Sequence, residues 1–317
     1  MIRLGAQRAA AAPTPMRLWA ATVGPRAALL HTTAAARSGG PPVLEAADPT
    51  LPGQTLTFIQ KARGYLAFYK QGVKALWRNG RAVAEIRQRL GTGGAVTRAE
   101  FQIAHRHPGD RLRLVPFGLL LVVFPEIIPV VAALFPAASP STCVTYAQVV
   151  KMAAKRDAQR RVLHREALRR IEAAGLAAHD FATAAALQRA AAQGAALFAL
   201  DTLGHAELRL LSRFMGAGGP VAGLRAEWLR EGLRRHLARI AADDGLLARE
   251  KLVARLGPVE LHRACQERGI LSAHVPEPQL REALGAWVRL SQATGQATGM
   301  LPLAWSRLAL LAAPVAR

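Results

Sequence analysis

The sequence is poor in three things: cysteine, acidic residues and aromatic rings. It has 2 cysteines in 317 residues, 21 acidic residues against 42 basic ones, and 5% aromatics. Cys143 and Cys265 lie far apart in a basic chain, which supports neither a disulfide scaffold nor a cysteine-based zinc site. Few aromatics beside abundant Ala, Leu and Arg favour helices over sheets. The acid deficit gives a formal net charge of +21, which implies an anionic partner, either nucleic acid or an anionic membrane surface. Catalytic signatures are missing too. HExxH, CxxC, P-loop and GxSxG patterns do not occur, so an ordinary soluble enzyme is not expected, nor is a cofactor or a metal. Asp243-Asp244-Gly245 lacks the alternation that wraps a calcium ion. His105 and His107 flank Arg106 without a third ligand nearby and read as a basic interfacial pair.

What is present is unevenly spread. Residues 1–113 hold 17 Lys/Arg and 5 Asp/Glu, 114–150 hold only Glu126, 151–256 hold 19 against 11, and 257–317 hold 6 against 4. The first 44 residues carry Arg3, Arg8, Arg17, Arg26 and Arg37 with no acid before Glu45. An Arg-rich, acid-free start is the pattern of a mitochondrial transit peptide, because the inner-membrane potential pulls cationic helices inward. Residues 1–44 are therefore expected to direct import, with the mature chain starting near Gly39–Pro42.

From Leu114 to Phe135 the sequence reads LVPFGLLLVVFPEIIPVVAALF, with one charge. About 20 apolar residues suffice to cross a bilayer, so 114–135 is expected to be one transmembrane helix. Pro116, Pro125 and Pro129 suit it, since membrane helices tolerate proline where neighbours satisfy the freed carbonyls. Glu126 inside this run has two readings. It marks an ion pathway together with Pro125 and Pro129, or it is protonated and bonded to carbonyls freed by Pro129.

Residues 45–113 read as an N-terminal helical segment. Within 55–90, Phe58, Tyr65, Phe68, Tyr69, Val73 and Trp77 form an aromatic stripe opposite Lys61, Lys70 and Lys74. Residues 136–317 read as an all-helical domain. In it 145–195 is Ala-rich and broken at Gly175, Gly216 to Pro220 form a hinge, and 224–256 is a basic amphipathic helix. Leu229, Leu233, Leu237 and Ile240 lie on one face of that helix, with Arg230, Arg234, Arg235 and Arg239 on the other. The four arginines either simply face solvent or bind rRNA phosphates in a salt-sensitive, sequence-blind manner.

Several stretches fall into one order: AVTRAEFQIAHRHPGDRLRLVPF at 95–117, FPEIIPVVAALFPAASPST at 124–142 and DDGLLAREK at 243–251. ELHRACQERGI at 260–270, LREALGAWVRLS at 280–291 and LPLAWSRLALL at 301–311 complete it. Together they resemble the LETM family of mitochondrial inner-membrane proteins, with its ribosome-binding domain, over about residues 55 to 313. The resemblance implies a mainly α, single-pass inner-membrane protein whose C-terminal matrix domain binds mitochondrial ribosomes, through rRNA or a ribosomal protein. It also implies a role in potassium/proton exchange and membrane-protein biogenesis, and Glu126 matches the family's acidic residue in the span. Leu261, Cys265 and Ile270 would pack against Leu280, Leu284 and Trp287, with Gly269 capping the first helix. The chain resembles a short, fungal-type member without an EF-hand or a C-terminal coiled coil. One span cannot enclose a pathway, so direct exchange requires a homo-oligomer or a partner. The competing reading is a structural inner-membrane adaptor whose arginines contact cardiolipin, with neither ribosome binding nor transport of its own.

Overall fold

The computed structural model describes residues 48–51, 57–123, 139–217 and 225–311. The expected transit peptide at 1–44 lies outside them. Every regular element among the described residues is helical. The chain begins with α1 (Phe58–Gly91) and α2 (Arg98–Val123), then a 3-10 turn at Ser141–Cys143 and α3 (Tyr146–Ala173). A 3-10 turn at Ala178–Phe181 leads to α4 (Ala184–Gln193), the short α5 (Ala195–Phe198) and α6 (His205–Met215). Helix α7 (Ala226–Arg249), a 3-10 turn at Val253–Arg255, α8 (Pro258–Glu267), α9 (Glu277–Thr298) and α10 (Leu301–Ala309) complete the order.

Local chemistry explains where helices start and stop. Thr57 and Gln60 exchange bonds at the start of α1, with Thr57 N donating to Gln60 Oε1 at 2.9 Å and Gln60 N to Thr57 Oγ1 at 3.4 Å. Thr97 and Glu100 do the same at α2, at 2.9 and 3.3 Å. These are capping boxes, which satisfy orphan amide donors at a helix start. Gly175 ends α3 in the left-handed region at φ 75°, and Leu176 N reaches back to Ile171 O at 3.1 Å. The expected break at Gly175 is present.

The main apolar core is formed by α3 to α10, with buried members running from Leu163 to Leu311. In α7, Leu229, Leu233, Leu237 and Ile240 all enter it, as their spacing predicts. So do Leu261, Cys265, Ile270, Leu280, Leu284 and Trp287, and Gly269 caps α8 at φ 75°. A Cβ on Gly269 would stand 2.5 Å from Phe214 Cε1, so both its conformation and its neighbour require glycine.

No described side chain of the α1–α2 hairpin enters that core. Its own packing uses Leu76, Val83, Ile86, Phe101 and Ala104, and a small cluster joins Phe68 and Tyr69 to Cys143. The aromatic stripe expected on α1 is therefore only partly right. Tyr69 and Phe68 are buried, but Trp77 is 63% exposed, with the guanidinium of Arg81 over its ring at 4.2 Å. Leu76 takes the inward position, about 100° round the helix from Trp77.

The transmembrane helix expected at 114–135 falls only partly within the described residues. No helix among the described residues is long and apolar enough to cross a membrane. Helix α2 carries the apolar run as far as Val123, and residues 124–138 lie outside the description. Moreover, Ser141 N donates to Asp110 Oδ1 at 2.7 Å, so the chain on the two sides of the run meets.

Candidate nucleic-acid interface

Helix α7 was expected to offer four arginines to RNA. The structure divides them. Arg230 flanks the core face and donates to two loop carbonyls, Leu200 O and Leu203 O, each at 3.1 Å. Arg239 is buried and pairs with Glu267 at 2.9 Å, so it does not share the exposed face. Its position one residue before Ile240 places it at the edge of the buried stripe, where a long stem packs and the head needs a carboxylate. Arg234 and Arg235 remain half exposed, but Arg234 pairs with Asp201 and Glu231 at 2.8 and 3.0 Å and Arg235 with Glu231 at 3.3 Å. Two of the four are structural. The other two are already partly neutralised.

A larger group of exposed cations lies on α3. Its inner side puts Leu163, Ala167 and Ile171 into the core. The outer side carries Lys151, Lys155, Arg161, Arg165 and Arg169, all exposed. At 100° per residue, Lys151, Lys155, Arg165 and Arg169 fall within about 80° of one another, with Arg161 about 40° beyond. Lys155, Arg161, Arg165 and Arg169 form no ion pair with any described residue, whereas their neighbour Arg170 is held by Glu166 and Glu207. Helix α6 runs antiparallel beside α3, fixed by the Arg170–Glu207 pair at one end and by Arg160 Nε donating to Phe214 O at 3.0 Å at the other. It adds the exposed Arg209 and Arg213, one turn apart. Sequence reasoning counted this charge without placing it. The signal was there in the 3.6-residue spacing of Lys151, Lys155, Arg165 and Arg169.

The outer face of α3 suits phosphates better than lipid. An interfacial helix needs an apolar face free to enter the acyl region. Here that face is spent on the core, and the outer side shows Val162 as its single large apolar residue. A row of fixed cations without an insertion face is what a polyphosphate backbone recognises.

Beneath α7 lies a closed charged cluster that holds the hairpin to the body. Asp243 accepts from Gln102 Nε2 at 2.7 Å, pairs with Arg98 at 2.9 Å and with Arg268 at 2.7 Å. Asp244 accepts from Arg268 Nε and Trp287 Nε1, both at 2.8 Å. Burial pushes both carboxyls up. At Asp243 the guanidiniums of Arg268 and Arg98 outweigh it and hold the group down at about 2, whereas at Asp244 burial prevails and the group is raised. Arg98 N also donates to Glu250 Oε1 at 2.9 Å, and Arg106 forks onto Glu260 at 2.7 and 2.9 Å. The pair Asp243-Asp244, which fails as a calcium loop, is thus a guanidinium anchor. No group of three His, Cys, Asp or Glu among the described residues could hold a metal, and His105 and His107 are not part of one.

Glu126, Pro125 and Pro129 lie outside the described residues.

Residues 96–308 match the family model described as LETM1-like, RBD. No solved structure matches the chain.

Proposed function

Because this chain belongs to the LETM1-like ribosome-binding-domain family, we propose that it tethers mitochondrial ribosomes to the inner membrane, with its helical body in the matrix. The observation that carries the contact is the outer face of α3, where Lys155, Arg161, Arg165 and Arg169 stand exposed and unpaired with any described residue. Phosphates of rRNA are the matching ligand, and binding then releases counterions and weakens steeply with salt. Anchored near the bilayer by its apolar run, the body holds a translating ribosome where hydrophobic products emerge, which supports membrane-protein biogenesis.

The test is co-sedimentation of the full chain, in detergent micelles, with purified mitochondrial ribosomes as KCl rises. Steeply falling binding supports the reading. Salt-insensitive binding, or competition by cardiolipin vesicles but not by rRNA, points to the lipid adaptor instead.

A role in potassium/proton exchange rests on a separate feature. Glu126 is the only ionisable residue in the 114–135 run and stands between Pro125 and Pro129. A carboxyl there can carry a proton while carbonyls freed by the prolines meet a cation. One chain offers too few helices to enclose such a path, so this activity requires a homo-oligomer or a partner. Flux in liposomes that is equal for wild type and Glu126→Gln removes it.

A further inference from the structure

Helices α3 and α6 lie antiparallel on one core. Leu163, Ala167 and Ile171 of α3 and Leu208, Leu211 and Met215 of α6 all enter it, so the opposite sides of the two helices face out together. From Lys155 to Arg169 the α3 row spans 14 residues, about 21 Å of axis. Arg209 and Arg213 make a second row on α6, one turn apart, and packed helices stand about 8–10 Å from each other. Both are exposed and, like the α3 cations, form no ion pair with any described residue. The acids of these helices do little to offset the rows. Asp157 is buried, Glu166 and Glu207 are held by Arg170, and Glu172 sits in the last turn of α3.

Such a surface is suited to one form of nucleic acid more than another. A single strand is gripped by stacking its bases on aromatic rings. Neither α3 nor α6 exposes one: Tyr146 is half-buried with its ring against His262, and Phe214 is buried beneath Arg160. The exposed Trp77 and Trp228 lie on α1 and α7, and a guanidinium covers each ring, Arg81 at 4.2 Å and Arg225 at 5.1 Å. Duplex RNA hides its base faces and is recognised by shape and by the phosphates of its strands. A duplex also carries one charge per about 1.7 Å of axis, against about 3.4 Å for each strand. Along the α3 row that is roughly 12 phosphates rather than roughly 6, and they stand in two lines.

We infer that the joint surface of α3 and α6 takes double-stranded RNA, with one phosphate line on Lys155, Arg161, Arg165 and Arg169 and the other on Arg209 and Arg213. A helical segment of rRNA is the matching element of a ribosome. The inference rests on the ribosome contact proposed above and deepens it. Arg209 and Arg213 decide between duplex and single strand, because only a second line of phosphates reaches them. The cations stand on packed helices and meet no base edge, so the surface reads form and not sequence.

The test offers the full chain, in detergent micelles, a labelled RNA duplex of about 16 base pairs, one strand of that duplex alone, and purified mitochondrial ribosomes. Two more phosphates neutralised should make the duplex bind about 10–100-fold more tightly than the strand at about 0.1 M KCl. Arg209→Gln with Arg213→Gln should bring the two within about 3-fold and lower the duplex slope of log K against log salt by about 2, with Tm unchanged. Arg209→Lys with Arg213→Lys keeps the charge and should keep both the preference and the slope. A strand that binds as tightly as the duplex, or a preference that survives the glutamine variant, overturns the inference and leaves the ribosome contact standing. Ribosomes bound when neither RNA is bound place the contact on a ribosomal protein and also overturn it. Duplex bound without ribosomes keeps the surface and removes the tether, and no binding of any of the three removes both.

Discussion

Replacing Asp243 by Asn probes the clasp between the hairpin and the body. The carboxylate is fully buried and meets two guanidiniums and one amide, from α2 and from the α8 end. Asn keeps one acceptor but removes the charge that balances Arg98. Breaking a buried pair by deleting one partner costs about 3–5 kcal/mol, since a charge is left uncompensated. The acid–base route to the same quantity agrees: a carboxyl held at about 2 against about 3.9 in the unfolded chain corresponds to roughly 2–3 kcal/mol. For a chain of this size, about 3 kcal/mol moves Tm down by roughly 6–12 °C. Thermal unfolding of the full chain in detergent, followed by circular dichroism, reads this directly. The folded-state value lies below the unfolded one, so this stabilisation is complete above about pH 5 and fades as pH falls towards 2. Asp243→Asn should therefore flatten the wild-type loss of stability over that window. Asp244, raised by burial, contributes with the opposite sign and should not share the effect. A Tm within about 2 °C of wild type, or an unchanged acid profile, would refute the reasoning.

Other perturbations follow from single contacts. Gly269→Ala combines a left-handed backbone with a clash against Phe214, and should cost about 1–3 kcal/mol by urea titration; a loss below about 0.5 kcal/mol would contradict the packing. Arg106→Met leaves Glu260 with Arg263 as its ion-pair partner among the described residues, and should raise amide exchange in α1 and α2 before that in α7 to α9. Cys143 and Cys265 should resist a maleimide at pH 8 in the folded chain and react only on unfolding, which mass spectrometry distinguishes.

Much of the helical order was legible because apolar spacing is a local property. Leu229, Leu233, Leu237 and Ile240 announced the core face of α7, and Gly175 and Gly269 announced helix ends that only a left-handed residue makes easily. Two things could not be read locally. Whether an arginine is free depends on carboxylates and carbonyls distant in sequence: Arg239 finds Glu267 and Arg230 finds Leu200, whereas Arg165 and Arg169 find no carboxylate among the described residues. Likewise, which residues meet across the apolar run is not a local property: Asp110 and Ser141 are hydrogen-bonded although 31 residues apart. Trp77 shows a smaller failure, a stripe assigned one residue off the axis that Leu76 occupies.

The central claim is that α3 carries the ribosome contact. Its most direct test is the salt dependence of ribosome binding for the full chain and for a variant with Lys155, Arg161, Arg165 and Arg169 all changed to Ala. Four lost phosphate contacts should lower the slope of log K against log salt by about 3, with Tm unchanged, while Arg234→Ala with Arg235→Ala leaves the slope within about 1 of wild type. A slope that the α3 variant leaves intact, or that falls only when the α7 arginines are removed, would contradict the account.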